Sequence, residues 1–486
     1  MPDPAPSPPA APRLQRTTVR PRTGIVHLGP GAFFRAFNAV YTEDAMDAAG
    51  GDWGIVAVSL RSAGIRDRLM PQGCAYTAIA RAPQGMQDRI IGAITEVLVA
   101  PEDPQAVLAR MADPAIRIVT LTVTEKGYCH DPATGRLRRD DPGIAHDRAR
   151  PDRPVTAPGF LVAALARRRA AGLAPFTVLS CDNLPGNGAL TRAITLDLAR
   201  ARDPRLADWI AAEARFPSCM VDRITPATTP ADIAALAARA GYTDLACVTH
   251  EPFRQWVIEE DFVAGARPAW EAGGAQFVRD VGPHETMKLR CLNGTHSALA
   301  YLGYLAGHET IAETVADPAF ARYCRYLWRI EILPGLKQPE GEDLPAYCDA
   351  LLERYRNPAI RHRTWQIAMD GSQKLPQRIL GTIADNLDAG RPIRGLALAV
   401  AGWMRYAGGI DEAGRPIDVR DPLAAELRAA SDGAASVEDR VAAFLNIRAV
   451  FDPALAGAEP FRAALIAALR GLVARGARAM VEELVA

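Results

Sequence analysis

Charge of one sign is what this chain most plainly lacks: 56 lysines and arginines meet 56 aspartates and glutamates. With neither sign in excess, no nucleic-acid partner and no membrane partner is expected. A long apolar run is missing as well. The best candidate, around Leu396–Trp403, falls far short of the ~20 residues that span a bilayer and reads as a buried helix. The 8 cysteines are scattered without a Cys-x-x-Cys pair. That excludes a disulfide framework and a cysteine zinc site, and it suits a reducing, cytoplasmic location. Residues 1–23 are rich in Pro, Ala and Arg without the apolar core of a secretion signal, and read as a disordered tail. No internal repeat is visible.

At 486 residues the chain exceeds the usual size of one domain, and two are expected. Over 24–282, strand-like and helix-like segments alternate. Gly24–Leu28, Ile55–Ser59, Ile116–Val123 and Phe176–Cys181 are short apolar strand candidates, with helical stretches at about Phe33–Ala48, Gly159–Ala171 and Leu190–Ala201. Such alternation predicts an α/β domain, a parallel sheet with helices on both faces. Over 283–486 the texture becomes Ala- and Leu-rich with helical spacing: Ser297–Leu305, Ala319–Ile332, Leu344–Arg356, Pro422–Ala430, Val437–Leu445 and Phe461–Val485. A mainly α-helical second domain is expected there.

The run from His27 to Arg35 sets Gly29 and Gly31 after the first strand and before the first helix. Two glycines permit a tight turn and the close approach of a pyrophosphate, which the helix N-terminus favours electrostatically. This predicts a Rossmann-like dinucleotide-binding domain, although Phe34 stands where the third small residue of the fingerprint belongs. The second strand ends in Val58-Ser59-Leu60-Arg61-Ser62, without the acid that usually binds the ribose 2′-hydroxyl. Two readings stay open. Ser59 and Arg61 accommodate the 2′-phosphate of NADP, or Arg61 is a solvated loop residue and NAD is held by other groups.

Lys288, Asn293 and His296 lie close together in Glu285–His296. On a regular helix at ~100° per residue their side chains leave within roughly 140° of arc. A proton-transfer group, a neutral amide and an imidazole suit the interconversion of a carbonyl and an alcohol.

Together these motifs resemble the polyol-specific long-chain dehydrogenase/reductase family, the mannitol dehydrogenase family. Its hallmark, Lys-x4-Asn-x2-His, is matched in full by Lys288, Asn293 and His296. Further similarities are Val221–Pro226 with the preceding Phe216–Met220, Thr124–Tyr128, Ser180–Gly188, Trp256–Glu260 and Asp370–Pro376. Many members carry Phe-His-Arg-Ala-His in the first helix, whereas this chain has phenylalanine at 34 and 37.

The resemblance implies the following roles. Lys288 is the general acid/base, and Asn293 with Asn183 stabilises the oxyanion, Asn187 being the alternative for the second amide. His296 orients the substrate, and Glu285 relays protons to Lys288. Gly29, Gly31, Phe34 and Arg35 belong to the cofactor loop, with Ser59 and Arg61 beyond the second strand. Thr124 and Glu125 approach the nicotinamide. Val221 and Asp222 lie in the signature loop near cofactor and substrate, and Lys374 with Arg378 faces the substrate from the helical domain.

The implied reaction is metal-independent, NAD(P)-dependent hydride transfer, NAD being the first expectation and NADP the alternative. The residues agree: no cluster of zinc-ligating type is evident, and no tyrosine is followed by lysine four positions on. Lys288 would need a pKa well below the free value of ~10.4, through burial and a neighbouring cation. The stretches Thr124–Cys129, Ser59–Ser62 and His362–Lys374 are more similar to the fructuronate reductase (D-mannonate oxidoreductase) branch than to the mannitol branch. A sugar acid also needs a cation, for which Lys374, Arg378 and Arg363 are candidates. D-mannonate/D-fructuronate is therefore favoured, with D-mannitol/D-fructose or another hexitol or pentitol as the alternative. A non-catalytic sugar or nucleotide binder is the rival class, but it would have no use for Lys288. Analogy with the family points to a monomer.

Overall fold

The computed structural model describes residues 11–132 and 134–486. The chain divides into two units, Met1–Gly282 and Pro283–Ala486.

In the first unit, five strands form a wholly parallel sheet: β1 (Thr23–Leu28), β2 (Gly54–Ser59), β5 (Ile94–Val99), β6 (Ile118–Leu121) and β7 (Thr177–Ser180), in the order β5-β2-β1-β6-β7. β1 and β2 are buried nearly throughout, as a parallel sheet covered on both faces requires. The order reverses direction at β1, which places a switch point between the carboxyl ends of β1 and β6.

Two smaller sheets were not anticipated. One joins β3 (Tyr76–Ala82), β4 (Gly85–Ile91) and β9 (Val248–His250). The other joins β8 (Cys219–Asp222), β10 (Gln255–Glu259) and β11 (Gln276–Val278). β4 is exposed over most of its length, so it carries no alternating apolar pattern, and β9 and β11 have three residues each.

The single helix expected over Phe33–Ala48 is two, Ala32–Ala36 and Asn38–Ala49, broken at Phe37 (φ −129°, ψ −82°). Phe37 is wholly buried there against Tyr41 and Trp256. The expected disordered tail divides into residues 1–10, outside the described residues, and 11–22, which are tied down. The backbones of Pro12 and Leu14 bond to Thr243, Leu14 is buried, and Arg16 donates to the carbonyls of Gly73, Gly92 and Ile94.

The second unit is built of helices. Arg394–Ala407 is buried over most of its length and packs against Thr295–Leu305 and Glu459–Arg475. The last expected helix breaks at Gly476 (φ +82°) into Glu459–Arg475 and Ala477–Leu484. Three segments are π-helical: Lys288–Gly294, Leu327–Ile332 and Pro376–Leu380. Among the described residues no helix is long and apolar enough to cross a membrane.

Candidate functional site

The turn after β1 is built for close approach. Gly29 has φ +94°, and a Cβ there would lie 2.3 Å from the Thr122 carbonyl oxygen, so both backbone and space require glycine. Gly31 differs: a Cβ would meet nothing nearer than the Gly29 oxygen at 3.9 Å. Its face is open to whatever lies over the turn. Beside it runs a groove of about 450 Å3 lined by Gly29, Gly31, Ser59, Arg61, Thr122 and Thr124, among others. A glycine turn opening on a groove at the carboxyl ends of β1, β2 and β6 fits a dinucleotide.

Five of the expected cofactor residues thus line one groove: Gly29, Gly31, Ser59, Arg61 and Thr124. Glu125, Val221 and Asp222 do not line it. Glu125 is exposed in the short turn Glu125–Tyr128, and Val221 and Asp222 are buried at the end of β8. The side chains of Phe34 and Arg35 turn inward instead of meeting a cofactor. Phe34 is wholly buried and stacks on His27. The Arg35 guanidinium is buried over the Tyr76 ring (6.0 Å to the centroid). His27 is the residue that sequence reasoning missed. One ring nitrogen meets Thr120 Oγ1 at 2.8 Å, and the other meets Thr122 Oγ1 at 3.0 Å and the Gly29 oxygen at 3.1 Å. Burial pushes its pKa down to about 3, so a neutral ring bolts the glycine turn to β6.

Asp182, just past β7, braces the next loop. Its carboxylate accepts the N–H groups of Val123 (2.8 Å) and Thr124 (3.0 Å) and the Tyr128 hydroxyl (2.7 Å). Burial raises its pKa, against these hydrogen bonds. The brace holds Thr124 at φ +65°, a conformation that threonine disfavours. The two candidate asparagines now separate. Asn187 is wholly buried and its amide is used on both sides: Nδ2 donates to the carbonyls of Asp182 (3.0 Å) and Cys219 (2.8 Å), and Oδ1 accepts the Cys219 N–H (3.0 Å). It sews β7 to β8. Asn183 is exposed. Arg223, beside Asp222, donates to the carbonyls of Ala36, Glu251 and Pro252.

In the second unit Lys288 and Asn293 stand in the π-helical turn, and His296 begins the α-helix Thr295–Leu305. The regular-helix expectation is corrected here. π-helical bonding runs i→i+5, so residues five apart stand one turn above each other, where α-geometry would put them ~140° apart. Lys-x4-Asn is that spacing. Lys288 and Asn293 are each 8% exposed and His296 7%, while Glu285 is half-buried in Gly282–Met287.

The turn has identifiable supports. Trp328 Nε1–H donates to the Cys291 carbonyl (3.0 Å) and the Tyr355 hydroxyl to the Leu292 carbonyl (2.9 Å). A Cβ on Gly294 would lie 2.6 Å from the Arg378 carbonyl oxygen, so glycine lets Pro376–Leu380 close against the turn.

His296 lies between Tyr355 (ring centroids 5.3 Å, planes 21° apart) and the edge of His362 (4.7 Å, 76°). Its pKa is held well below the usual histidine range, first by burial and then by His362, Arg378, Arg354 and Lys374. His296 is therefore a neutral imidazole, able to donate from one nitrogen and accept at the other. Burial brings Lys374 down to about 8, with Arg378 adding to the shift, and brings His362 to about 4. Lys374 Nζ donates to the carbonyls of Met369 (2.5 Å) and Ile367 (3.4 Å), and Arg378 to Ser297 Oγ (3.1 Å). Lys374, Arg378 and His296 thus belong to one cationic neighbourhood. Arg363 is engaged elsewhere, paired with Glu309 at 2.5 Å. Among the described residues no group of three or more His, Cys, Asp and Glu side chains is placed to hold a metal ion.

A parallel sheet ordered for a dinucleotide, a glycine turn opening on a groove, and a helical unit presenting lysine, asparagine and histidine define a two-domain oxidoreductase. The profile described as the mannitol dehydrogenase Rossmann domain matches residues 23–272, and that of the mannitol dehydrogenase C-terminal domain matches 280–473. The chain belongs to the mannitol dehydrogenase family. It is 49% identical to the D-mannonate oxidoreductase of Escherichia coli K12 over 95% of both chains. It is 43% identical to the mannitol 2-dehydrogenase of Pyrenophora tritici-repentis, over 95% of this chain and 82% of that one. Among solved structures, Pseudomonas fluorescens mannitol 2-dehydrogenase, in a ternary complex with NAD and D-mannitol, superposes with a TM-score of 0.84 at 39% identity, covering 98% of this chain and 97% of that one.

Proposed function

We propose that this protein is an NAD-dependent dehydrogenase that interconverts the secondary alcohol and ketone of a sugar acid, D-mannonate and D-fructuronate being the favoured pair. The observation that carries the sugar-acid reading is the pair of largely buried cations, Lys374 and Arg378, beside neutral His296. Asp370 lies 4.0 Å from Lys374, but no ion pair meets Arg378 among the described residues, and a substrate carboxylate repays the two cations better than a neutral hexitol does. The 49% identity to an enzyme named D-mannonate oxidoreductase supports the same choice.

Bound NAD supplies the hydride acceptor in oxidation and, reduced, the donor. Gly29 and Gly31 hold the pyrophosphate, and Ser59, Arg61 and Thr124 line the rest of its groove. Lys288 as ammonium gives a proton to the carbonyl oxygen in reduction, and as amine takes it back in oxidation. Asn293 donates to that oxygen while it carries negative charge, and exposed Asn183 supplies the second amide because Asn187 is spent on backbone. Neutral His296 orients the neighbouring hydroxyl, and Glu285 relays the Lys288 proton. None of these roles uses a metal. The cysteines are all unpaired, which suits work in the cytoplasm.

Two measurements test the reading. With NAD(H), kcat/KM for the mannonate pair should exceed that for the mannitol pair by about 100-fold, the worth of one or two charge-assisted hydrogen bonds. Brisk mannitol oxidation with no mannonate turnover would overturn the substrate choice. Lys288→Ala should lower kcat by about 10^2–10^4 and spare NADH binding, and unchanged turnover would remove the lysine from its role.

A further inference from the structure

A second cavity, of about 320 Å3, adjoins the groove. It shares Leu60 and Val155 with it and extends past Ala100 to His146, Arg150 and Arg153. Its place in the sheet is informative. Leu60 directly follows β2 and Ala100 directly follows β5, whereas the glycine turn follows β1. In a sheet of this order the pyrophosphate sits on the β1 turn and the adenosine ribose reaches the end of the next strand. The cavity therefore opens where the adenosine end of a dinucleotide arrives.

The chemistry at that end is cationic. The first acid after β2 is Asp67, which is paired with Arg66 at 2.9 Å. Ser59 Oγ donates to the Ser62 carbonyl (2.7 Å) and so tightens the loop that carries Arg61. Arg61, Arg150 and Arg153 are exposed, and among the described residues none of the three guanidiniums has an ion pair or hydrogen bond. Asp152, between the two loop arginines, is exposed and lines neither cavity, and the other acids of the adjoining loops are engaged elsewhere. Glu102 pairs with Arg66, Asp103 caps the helix Pro104–Ala112, and Asp147 accepts the N–H groups of Val155 (2.7 Å) and Thr156 (3.1 Å). Three unpaired arginines at the adenosine end, where no acid lines either cavity, match a phosphate on the ribose 2′-hydroxyl.

We propose that Arg150 and Arg153, with Arg61, form a 2′-phosphate subsite, and that this dehydrogenase takes NADP as well as NAD. The inference rests on the reading of the groove as a dinucleotide site. The arginine pair comes from the loop 150–153, far in sequence from β2, so the end of β2 alone shows only part of the subsite.

Binding of NADH and NADPH to the full chain, followed by nicotinamide fluorescence, tests both layers separately. NADPH should bind within about tenfold of NADH, a difference of ~1.4 kcal/mol, and 2′,5′-ADP should compete better than 5′-AMP. Arg150→Ala/Arg153→Ala should weaken NADPH by about tenfold or more, in the range of one lost charge-assisted hydrogen bond, and leave NADH within about twofold. The retained NADH affinity also reports that the variant is folded. Arg153→Lys in an otherwise intact chain should keep part of the NADPH affinity, and added salt should weaken NADPH more steeply than NADH. Tight NADH binding with NADPH more than about 100-fold weaker, or equal loss of both in the double variant, overturns the subsite alone. Failure of both nucleotides to bind overturns the dinucleotide reading and the subsite with it.

Discussion

The ring of Phe34 lies flat on that of His27, with centroids 3.5 Å apart and planes 9° from parallel. The stack explains how a bulky residue occupies a position where dinucleotide turns usually carry a small one. Phe34 points away from the groove and roofs the imidazole that holds the Gly29 carbonyl.

His27 folds as a neutral ring with a pKa near 3, and so do His250, near 3, and His362, near 4. An unfolded histidine titrates at ~6.5. Stability should therefore be full above about pH 6.5 and decline towards pH 4, with a slope of up to about 1.4 kcal/mol per pH unit for each histidine. Urea midpoints measured from pH 8 to 4.5 check this. His27→Gln should flatten the profile relative to the parent, and parallel profiles would count against it.

Gly294 and Gly381 should respond oppositely to alanine. At Gly294 the new Cβ would press on the Arg378 carbonyl at 2.6 Å, while at Gly381 its nearest contact is the Pro376 oxygen at 3.8 Å. Gly294→Ala should cost about 1–3 kcal/mol and lower kcat, because Asn293 is its neighbour. Gly381→Ala should be neutral or stabilise by up to about 1 kcal/mol. Denaturation and turnover of the two variants, side by side, decide it.

Tyr355→Phe keeps the ring against His296 and removes the hydroxyl from the Leu292 carbonyl. The loss should be about 1 kcal/mol of stability with a several-fold fall in kcat, since the π-helical turn loses one of its side-chain supports. An unchanged kcat together with the stability loss would separate that support from catalysis.

Lys374, near 8, is an ammonium below that pH and an amine above it. KM for D-mannonate should rise as pH passes from 7 to 9, while KM for a neutral hexitol stays level over the same range. Lys374→Arg should remove the inflection, because arginine keeps its charge. A mannonate KM that is flat through pH 9 in the parent would show that Lys374 does not meet the carboxylate.

Much of the fold could be read from the sequence because it rests on local patterns. β1 and β2 are short, mostly apolar runs ended by turn residues, and the helices of the second unit keep their spacing. The small sheets escaped because β4 is exposed and β9 and β11 are short. At the candidate site the residue types were visible and their surroundings were not. Asn183 and Asn187 look alike in sequence, and they separate only when β8 brings Cys219 to the second amide. The stack of Phe34 on His27 joins a strand to the helix after it, which no periodicity reveals. The π-helical turn was masked by the assumption of ~100° per residue, although the five-residue spacing of Lys288 and Asn293 already carried the signal.

That turn has a consequence for how the chain tolerates change. A π-turn amounts to one residue more than a regular helix needs, so the count of residues and the winding must match for Lys288 and Asn293 to stand together. Substitutions along Leu289–Leu292 leave the count intact. Loss of a single residue between Lys288 and Asn293 would let the helix relax to ordinary winding, where the four-residue spacing that results again sets the lysine and the asparagine one turn apart. What parts the pair is rewinding with the count kept, since five residues of ordinary helix leave the two side chains about 140° apart.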